Sequence, residues 1–144
     1  MLIVMVMLGI LAAIASASLR NVITRAKESE AKMNVGVLLR GQQNHYMEYG
    51  KFANQLGDLG IGMASQTRHY AYDVQLASVI NTDMDGNRIT EASVVRARPL
   101  GELRGYMGKA WLDPHTSGGE LTRMVVCEGG TGAVDFMADK TYCP

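Results

Sequence analysis

The sequence MLIVMVMLGILAAIA, at residues 1–15, contains no charged side chain, no proline and only one glycine. The first charged residue is Arg20, so an α-helix would remain apolar for about 28 Å at about 1.5 Å per residue. This length is close to the roughly 30 Å thickness of the hydrocarbon core of a bilayer. Residues 1–20 are therefore predicted to form an apolar helix that spans a membrane.

The helical pattern continues beyond this apolar segment. Glu28 and Lys32 stand in the favourable i, i+4 order, and Gly50 is typical of the residue that follows the end of a helix. Residues 21–50 are predicted to extend the first helix as an amphipathic rod, which gives about 75 Å in all. Its apolar residues recur at helical spacing among charged ones, namely Leu19, Ile23, Ala26, Met33 and Val37.

The rest of the chain, residues 51–144, is predicted to form a globular head. Its clearest strand signal is residues 69–79, where Tyr70, Tyr72 and Val74 alternate with more polar residues. We expect an antiparallel sheet that lies across the C-terminal half of the helix, which makes the fold class α+β. Further strands are predicted at residues 92–97, 108–112, 121–128 and 133–137.

Charge and cysteine content narrow the class of protein. The 144 residues include 14 basic and 14 acidic residues, so no whole-molecule field attracts nucleic acid. The two cysteines are Cys127 and Cys143, and a chain that begins with a membrane span places them in an oxidising compartment. We predict that they form a disulfide worth roughly 3 kcal/mol, and the alternative is two buried thiols.

The apolar segment, followed by RAKESEAK at residues 25–32, resembles the N-terminal helix of type IV pilins and pseudopilins. Its most specific part is GILAAIA, at residues 9–15. Two later segments, QQNHYMEYGKFA at 42–53 and RARPLGELRGYMG at 96–108, are similar to the cyanobacterial branch of major pilins. The pair of cysteines near the C-terminus is similar to that branch too.

This resemblance implies a structural subunit of a type IV pilus, active in motility, adhesion or DNA uptake. Such a subunit is held in the inner membrane and then polymerises with its own copies into a surface filament. The implied partners are the lipid bilayer, a prepilin peptidase and the inner-membrane assembly platform. The filament core would be formed by Leu2, Ile3, Val4, Val6, Leu8, Gly9, Ile10, Leu11 and Ile14.

The sequence also departs from the pilin pattern. The family's processing site and assembly glutamate would lie ahead of Met1, so we expect the true start of the protein to precede the printed one. Ala17 stands where the family's helix-kinking proline is expected. Local melting of the helix would then centre on Gly9, which is about 1 kcal/mol less favourable in a helix than alanine.

Two other classes compete with a pilus subunit. One is a pseudopilin of a type II secretion system, and the other is a membrane-anchored binding domain with a single span that never polymerises. No G-x-S-x-G, Walker loop, H-E-x-x-H or Cys-His arrangement occurs in the sequence, so no enzyme and no resident cofactor are predicted.

Residues 81–87, NTDMDGN, match the first half of a calcium loop. The candidate calcium ligands are Asn81, Asp83 and Asp85. The second half fits poorly, because the twelfth position is Ala92 and Glu91 falls one residue early. An Asp-Gly hairpin turn is therefore favoured over Ca²⁺ binding.

A basic patch is the last candidate. Arg96 and Arg98 share one face of a predicted strand, with Arg104 and Lys109 nearby. Such a patch could hold phosphate groups of DNA, whereas ordinary surface arginines are favoured at zero net charge.

Overall fold

A computed structural model of the protein describes residues 2–77, 81–82, 88–89, 91–113, 121–133 and 143. The first element is one uninterrupted helix, α1, at Leu2–Tyr49. Gly50 follows it with a φ of 67°, a left-handed conformation that glycine adopts without steric strain, and its N–H donates to the carbonyl of Tyr46 at 2.8 Å. The predicted helix and its end are confirmed.

The described part of the head contains the strands β1 at Tyr70–Ala77, β2 at Asn81–Thr82, β3 at Arg88–Ile89, β4 at Ala92–Pro99, β5 at Arg104–Asp113 and β6 at Leu121–Thr131. Four of them form an antiparallel sheet with the order β1-β4-β5-β6, beside a two-stranded hairpin, β2-β3. This arrangement confirms the predicted α+β class. The strand predicted at 133–137 is not confirmed, since Ala133 lies outside any strand and 134–137 are outside the described residues.

The main core lies between the C-terminal half of α1 and the sheet. Val35, Leu38 and Leu39 are fully buried there, because β1, β4 and β5 turn alternate apolar side chains toward the helix. The apolar stripe recognised in the sequence points the other way: Met33 is 69% exposed and Val37 is 44% exposed. The core also contains Ala31, Tyr46, Phe52, Tyr70, Tyr72, Val74, Val95, Ala97, Tyr106 and Ala110.

Close contact between α1 and β5 depends on a glycine. A Cβ atom at Gly108 would lie 2.7 Å from Leu39 Cδ1 and 2.8 Å from Val35 Cγ1, well inside van der Waals contact. Both neighbours are fully buried and cannot move into open space. The absence of a side chain at this position therefore sets how closely the helix approaches the sheet.

We expect Gly108→Ala to lower the free energy of unfolding by about 1–3 kcal/mol, because the added methyl group overpacks the interface between helix and sheet. Gly130→Ala is the matched control, since a Cβ there meets nothing within 4 Å. Urea denaturation followed by circular dichroism measures both. Equal stabilities of the two variants would contradict the account of this contact.

A buried glutamine joins the first loop of the head to the helix. Gln42 is fully buried on α1, and its side-chain Nε2 donates to the carbonyl of Ala53 at 3.0 Å. The backbone N–H of Ala53 donates in return to Gln42 Oε1 at 2.8 Å. One side-chain amide thus satisfies both backbone groups of a buried loop residue, as a paired strand would. The loop is also held by Phe52, which is 2% exposed.

Three tyrosines, Tyr70, Tyr72 and Tyr106, belong to the main core. The Tyr70 hydroxyl donates to the carbonyl of Arg104 at 2.9 Å, and the Tyr72 hydroxyl accepts from Asn34 Nδ2 at 2.9 Å. Burial raises the pKa of Tyr106 to about 12, with a further contribution from the carboxylates of Glu128 and Glu28. Burial likewise raises the pKa values of Tyr70 and Tyr72.

The raised pKa values predict a loss of stability at alkaline pH. Between about pH 10, where an unfolded tyrosine ionises, and about pH 12, the unfolded chain has released protons that the folded chain still holds. The free energy of unfolding should therefore be unaffected by these groups below pH 10 and should fall as pH rises through this window. Tyr106→Phe should make the fall shallower. Thermal melting from pH 8 to 11.5 tests this, and a stability that stays flat across this range would contradict it.

Candidate assembly surface

The first turns of α1 carry large apolar side chains that are more than half exposed. Helix residues buried by the head begin at Ala31, and the segment before residue 20 extends beyond the sheet. The exposed fractions are 79% for Leu2, 71% for Ile3, 58% for Val4, 76% for Met5, 53% for Val6, 62% for Met7, 61% for Leu8, 58% for Ile10 and 64% for Leu11.

These side chains surround the helix on every side, because they occupy almost every consecutive position and successive positions turn by about 100°. A helix that is apolar all round is found inside a larger apolar environment. Residues 2–11 of α1 are therefore a candidate assembly surface. Within the described residues, no helix has both the length and the apolar character needed to cross a membrane, so the predicted span at 1–20 is not confirmed.

The sheet-distal stripe continues this apolar surface toward the head. It is defined by Leu19, Val22, Ile23, Met33 and Val37, which are all exposed and lie on the side of α1 opposite the sheet. Exposed apolar side chains in a row over several helical turns are uncommon on a monomeric protein. The sequence pattern identified most of this stripe but missed the face of α1 that packs on the sheet, because that face contains the polar Gln42 and the small Ala31.

The predicted disulfide is present. Cys127 on β6 and Cys143 are joined, with their Cα atoms 5.4 Å apart. Cys127 is buried on the face of the sheet that points away from α1, beside Met107 and Val94. The bond closes a loop with a sequence separation of 16, so it restricts the unfolded chain and fixes residue 143 against the sheet.

The candidate calcium loop sits on the β2-β3 hairpin. Asn81 pairs with Ile89 in that hairpin, which agrees with the favoured hairpin interpretation. Asp83 and Asp85 lie outside the described residues. Among the residues that are described, no cluster of acidic, histidine or cysteine side chains could hold a metal. Calcium binding stays the less favoured interpretation of this part of the sequence.

The structure does not support the proposed phosphate-binding patch. Arg96 donates to Asp73 Oδ2 at 3.1 Å and to Gln75 Oε1 at 2.6 Å, and Arg98 lies 3.7 Å from Asp73 Oδ1. The other two basic residues of the patch are not available to an external anion either. Arg104 forms an ion pair with Glu128, and Lys109 is fully buried in the sheet. These ion pairs agree with ordinary surface arginines, the interpretation that the sequence favoured, because neighbouring strands supply carboxylates that pair with them.

A family model described as type IV pilin-like G and H matches residues 28–137. No curated protein and no solved structure matches the chain. The resemblance to the cyanobacterial branch stays a prediction. The matched region runs from the middle of α1 past the end of β6 and covers more than half of the 144 residues. The chain therefore belongs to the type IV pilin-like G and H family.

Proposed function

We propose that this chain is the structural subunit of a type IV pilus and that copies of it polymerise through residues 2–19 of α1. The observation that carries the proposal is the long exposed apolar segment in front of a folded head. Membership of a pilin-like family supports it, because that family consists of structural proteins that form filaments. Enzymatic activity is not part of this proposal.

Burial of the exposed apolar segment supplies the driving force for assembly. Burial of one Leu, Ile or Val side chain contributes about 1.5–3 kcal/mol, and at least seven such side chains between Leu2 and Leu11 are more than half exposed. A second copy that covers even part of this surface therefore gains several kcal/mol. Contacts between different faces of successive copies do not close on themselves, so they generate a helical fibre.

Before assembly the same segment needs another apolar environment. We propose that residues 2–19 lie in the lipid of the inner membrane until the subunit is added to the filament. Exchange of lipid for neighbouring helices replaces one apolar surrounding by another, so it requires little net free energy. A prepilin peptidase and an inner-membrane assembly platform are the partners that the resemblance to pilins suggests.

In the filament, the four-stranded sheets would face outward while the helices occupy the axis. The sheet-distal stripe points away from the sheet and toward that axis, so Met33 and Val37 would be covered by neighbouring helices. Adhesion, motility and DNA uptake are the proposed uses of such a fibre. The ion pairs at Arg96 and Arg104 give no support to direct DNA contact through the sheet.

The proposal is tested by expressing the full chain with an epitope tag in cells that carry a type IV pilus machinery. We expect the tag in the fibre fraction released by shearing and along filaments in immunogold electron micrographs. Retention of all tagged protein in the cell membranes, with no labelled filaments, would instead favour a membrane-anchored domain that does not polymerise.

A further inference from the structure

A basic cleft lies at the end of the head from which the free half of α1 emerges. Two contacts fix this orientation: Glu28 Oε1 accepts from the Arg104 N–H at 3.3 Å near this end, and Gln43 Nε2 donates to the Thr122 carbonyl at 3.0 Å near the other. The cleft has a volume of about 220 Å³. Its lining includes Lys27, Arg68, His69, Leu100, Glu102 and Leu103.

The cationic groups of this cleft are not neutralised by ion pairs. In the described part of the chain neither Lys27 nor Arg68 forms a salt bridge, whereas Arg96, Arg98 and Arg104 elsewhere on the head all do. Among the described residues of the lining, Glu102 is the one carboxylate beside two basic side chains, so these residues carry an excess of positive charge. The chain as a whole has a net charge of zero, which makes this end of the head electrostatically distinct.

A second cleft, beside the basic cleft, has a different balance of charge. It has a volume of about 590 Å³, and its lining includes Arg25 and Arg104 together with Glu28 and with Glu102, which lines both clefts. Arg104 is already paired with Glu128, and the Glu28 carboxylate accepts a backbone N–H. Two carboxylates balance the two arginines among its described lining residues, so this cleft offers less attraction to an external anion.

The distance along α1 between the apolar segment and Lys27 places the basic cleft near the headgroup layer of a bilayer. If residues 2–19 lie in hydrocarbon, Arg20 is the first residue at its boundary, and Lys27 stands about 10 Å farther along the helix axis. The headgroup layer extends about 5–7 Å beyond the hydrocarbon, and a lysine side chain can reach into it. Leu100 is 50% exposed at the same end, so an apolar side chain accompanies the charges.

We propose that the cleft formed by Lys27, Arg68 and His69 binds the phosphate groups of anionic phospholipids at the membrane surface. This inference rests on the proposed function, because it requires that residues 2–19 lie in lipid. The docked head would stand at a fixed height and orientation above the membrane before assembly. Assembly would then have to break these phosphate contacts in addition to withdrawing the apolar segment.

The test uses the full chain in lipid nanodiscs that contain trace amounts of spin-labelled phosphatidylglycerol or phosphatidylcholine. Electron paramagnetic resonance gives the relative association of the two lipids with the protein. We expect the unmodified chain to prefer phosphatidylglycerol. The double variant Lys27→Gln/Arg68→Gln should reduce that preference about 5-fold or more, because it removes two basic groups that attract the anionic headgroup.

The matched control is Arg40→Gln/Lys51→Gln, which removes two exposed positive charges at the other end of the head. It should leave the lipid preference unchanged. The inference is overturned if both double variants behave alike, or if inorganic phosphate at constant ionic strength abolishes the preference, which would indicate a site for free phosphate. It is also overturned if the Lys27→Gln/Arg68→Gln chain keeps its lipid preference and loses only filaments, which would assign the cleft to a neighbouring subunit.

The same spectra separate this inference from the proposed function. Immobilised phosphatidylcholine around the unmodified chain, without any preference for phosphatidylglycerol, contradicts only the basic cleft. The absence of any immobilised lipid would contradict the placement of residues 2–19 in lipid, and with it the membrane stage of the proposed function.

Discussion

Leu8→Asp and Ile10→Asp are expected to abolish assembly of the chain into filaments while leaving the head folded. Each change removes about 1.5–3 kcal/mol of apolar burial and places a carboxylate in a dry interface, which costs several kcal/mol more. A total loss of about 5 kcal/mol corresponds to more than a 10³-fold weaker association. Neither side chain contacts the head, since Leu8 is 61% exposed and Ile10 is 58% exposed.

Two measurements check this prediction. Electron microscopy of sheared fractions reports filaments, and circular dichroism reports thermal unfolding of the head, which should remain unchanged. Gln55→Glu is the control for added negative charge, because this exposed residue lies on the head and its side chain caps no helix. Normal filaments from Leu8→Asp would show that residues 2–11 do not form the assembly surface.

Gln42→Met is expected to lower the free energy of unfolding by about 2–5 kcal/mol, the largest effect predicted within the head. Methionine fills a similar volume, so the change removes hydrogen bonds without creating a large cavity. The N–H and the carbonyl of Ala53 would both lose their partner at a residue that is 2% exposed. Each buried unsatisfied group costs about 1–3 kcal/mol.

Denaturant titration of Gln42→Met beside Gln55→Met measures this effect, because the second change replaces an exposed glutamine. Gln42→Glu gives a finer test: a carboxylate can accept from the Ala53 N–H but cannot donate to its carbonyl. We expect it to be as damaging as Gln42→Met at neutral pH. If both Gln42 variants matched Gln55→Met in stability, the loop would be held by Phe52 and its neighbours alone.

Local periodicity explains why much of the fold was predictable. The helical pattern located α1, and the alternation of Tyr70, Tyr72 and Val74 located β1, because each depends on neighbours within a few residues. Leu76 fits the same alternation but is 41% exposed. The exposure of Leu76 depends on how far α1 and the first loop extend over the sheet. The local sequence pattern does not contain that information.

The candidate sites were less predictable because they depend on the register between strands and on which distant segments pack together. The pairing of Asp73 with Arg96 follows from the alignment of β1 on β4, which the sequence pattern alone does not specify. The basic cleft was missed because it joins Lys27 on α1 to Arg68 in a distant loop. The only sequence signal for this cleft is the positive charge of its residues, and many ordinary surface residues are also charged.

A photoreactive phenylalanine analogue in place of Met5 tests the central claim most directly, because Met5 is 76% exposed in the single chain. Irradiated sheared filaments should yield covalent dimers of the chain, whereas the same analogue in place of Gln55 should yield few. If filaments contain the chain but position 5 gives no product between copies, the apolar helix is not the assembly surface and the account is wrong.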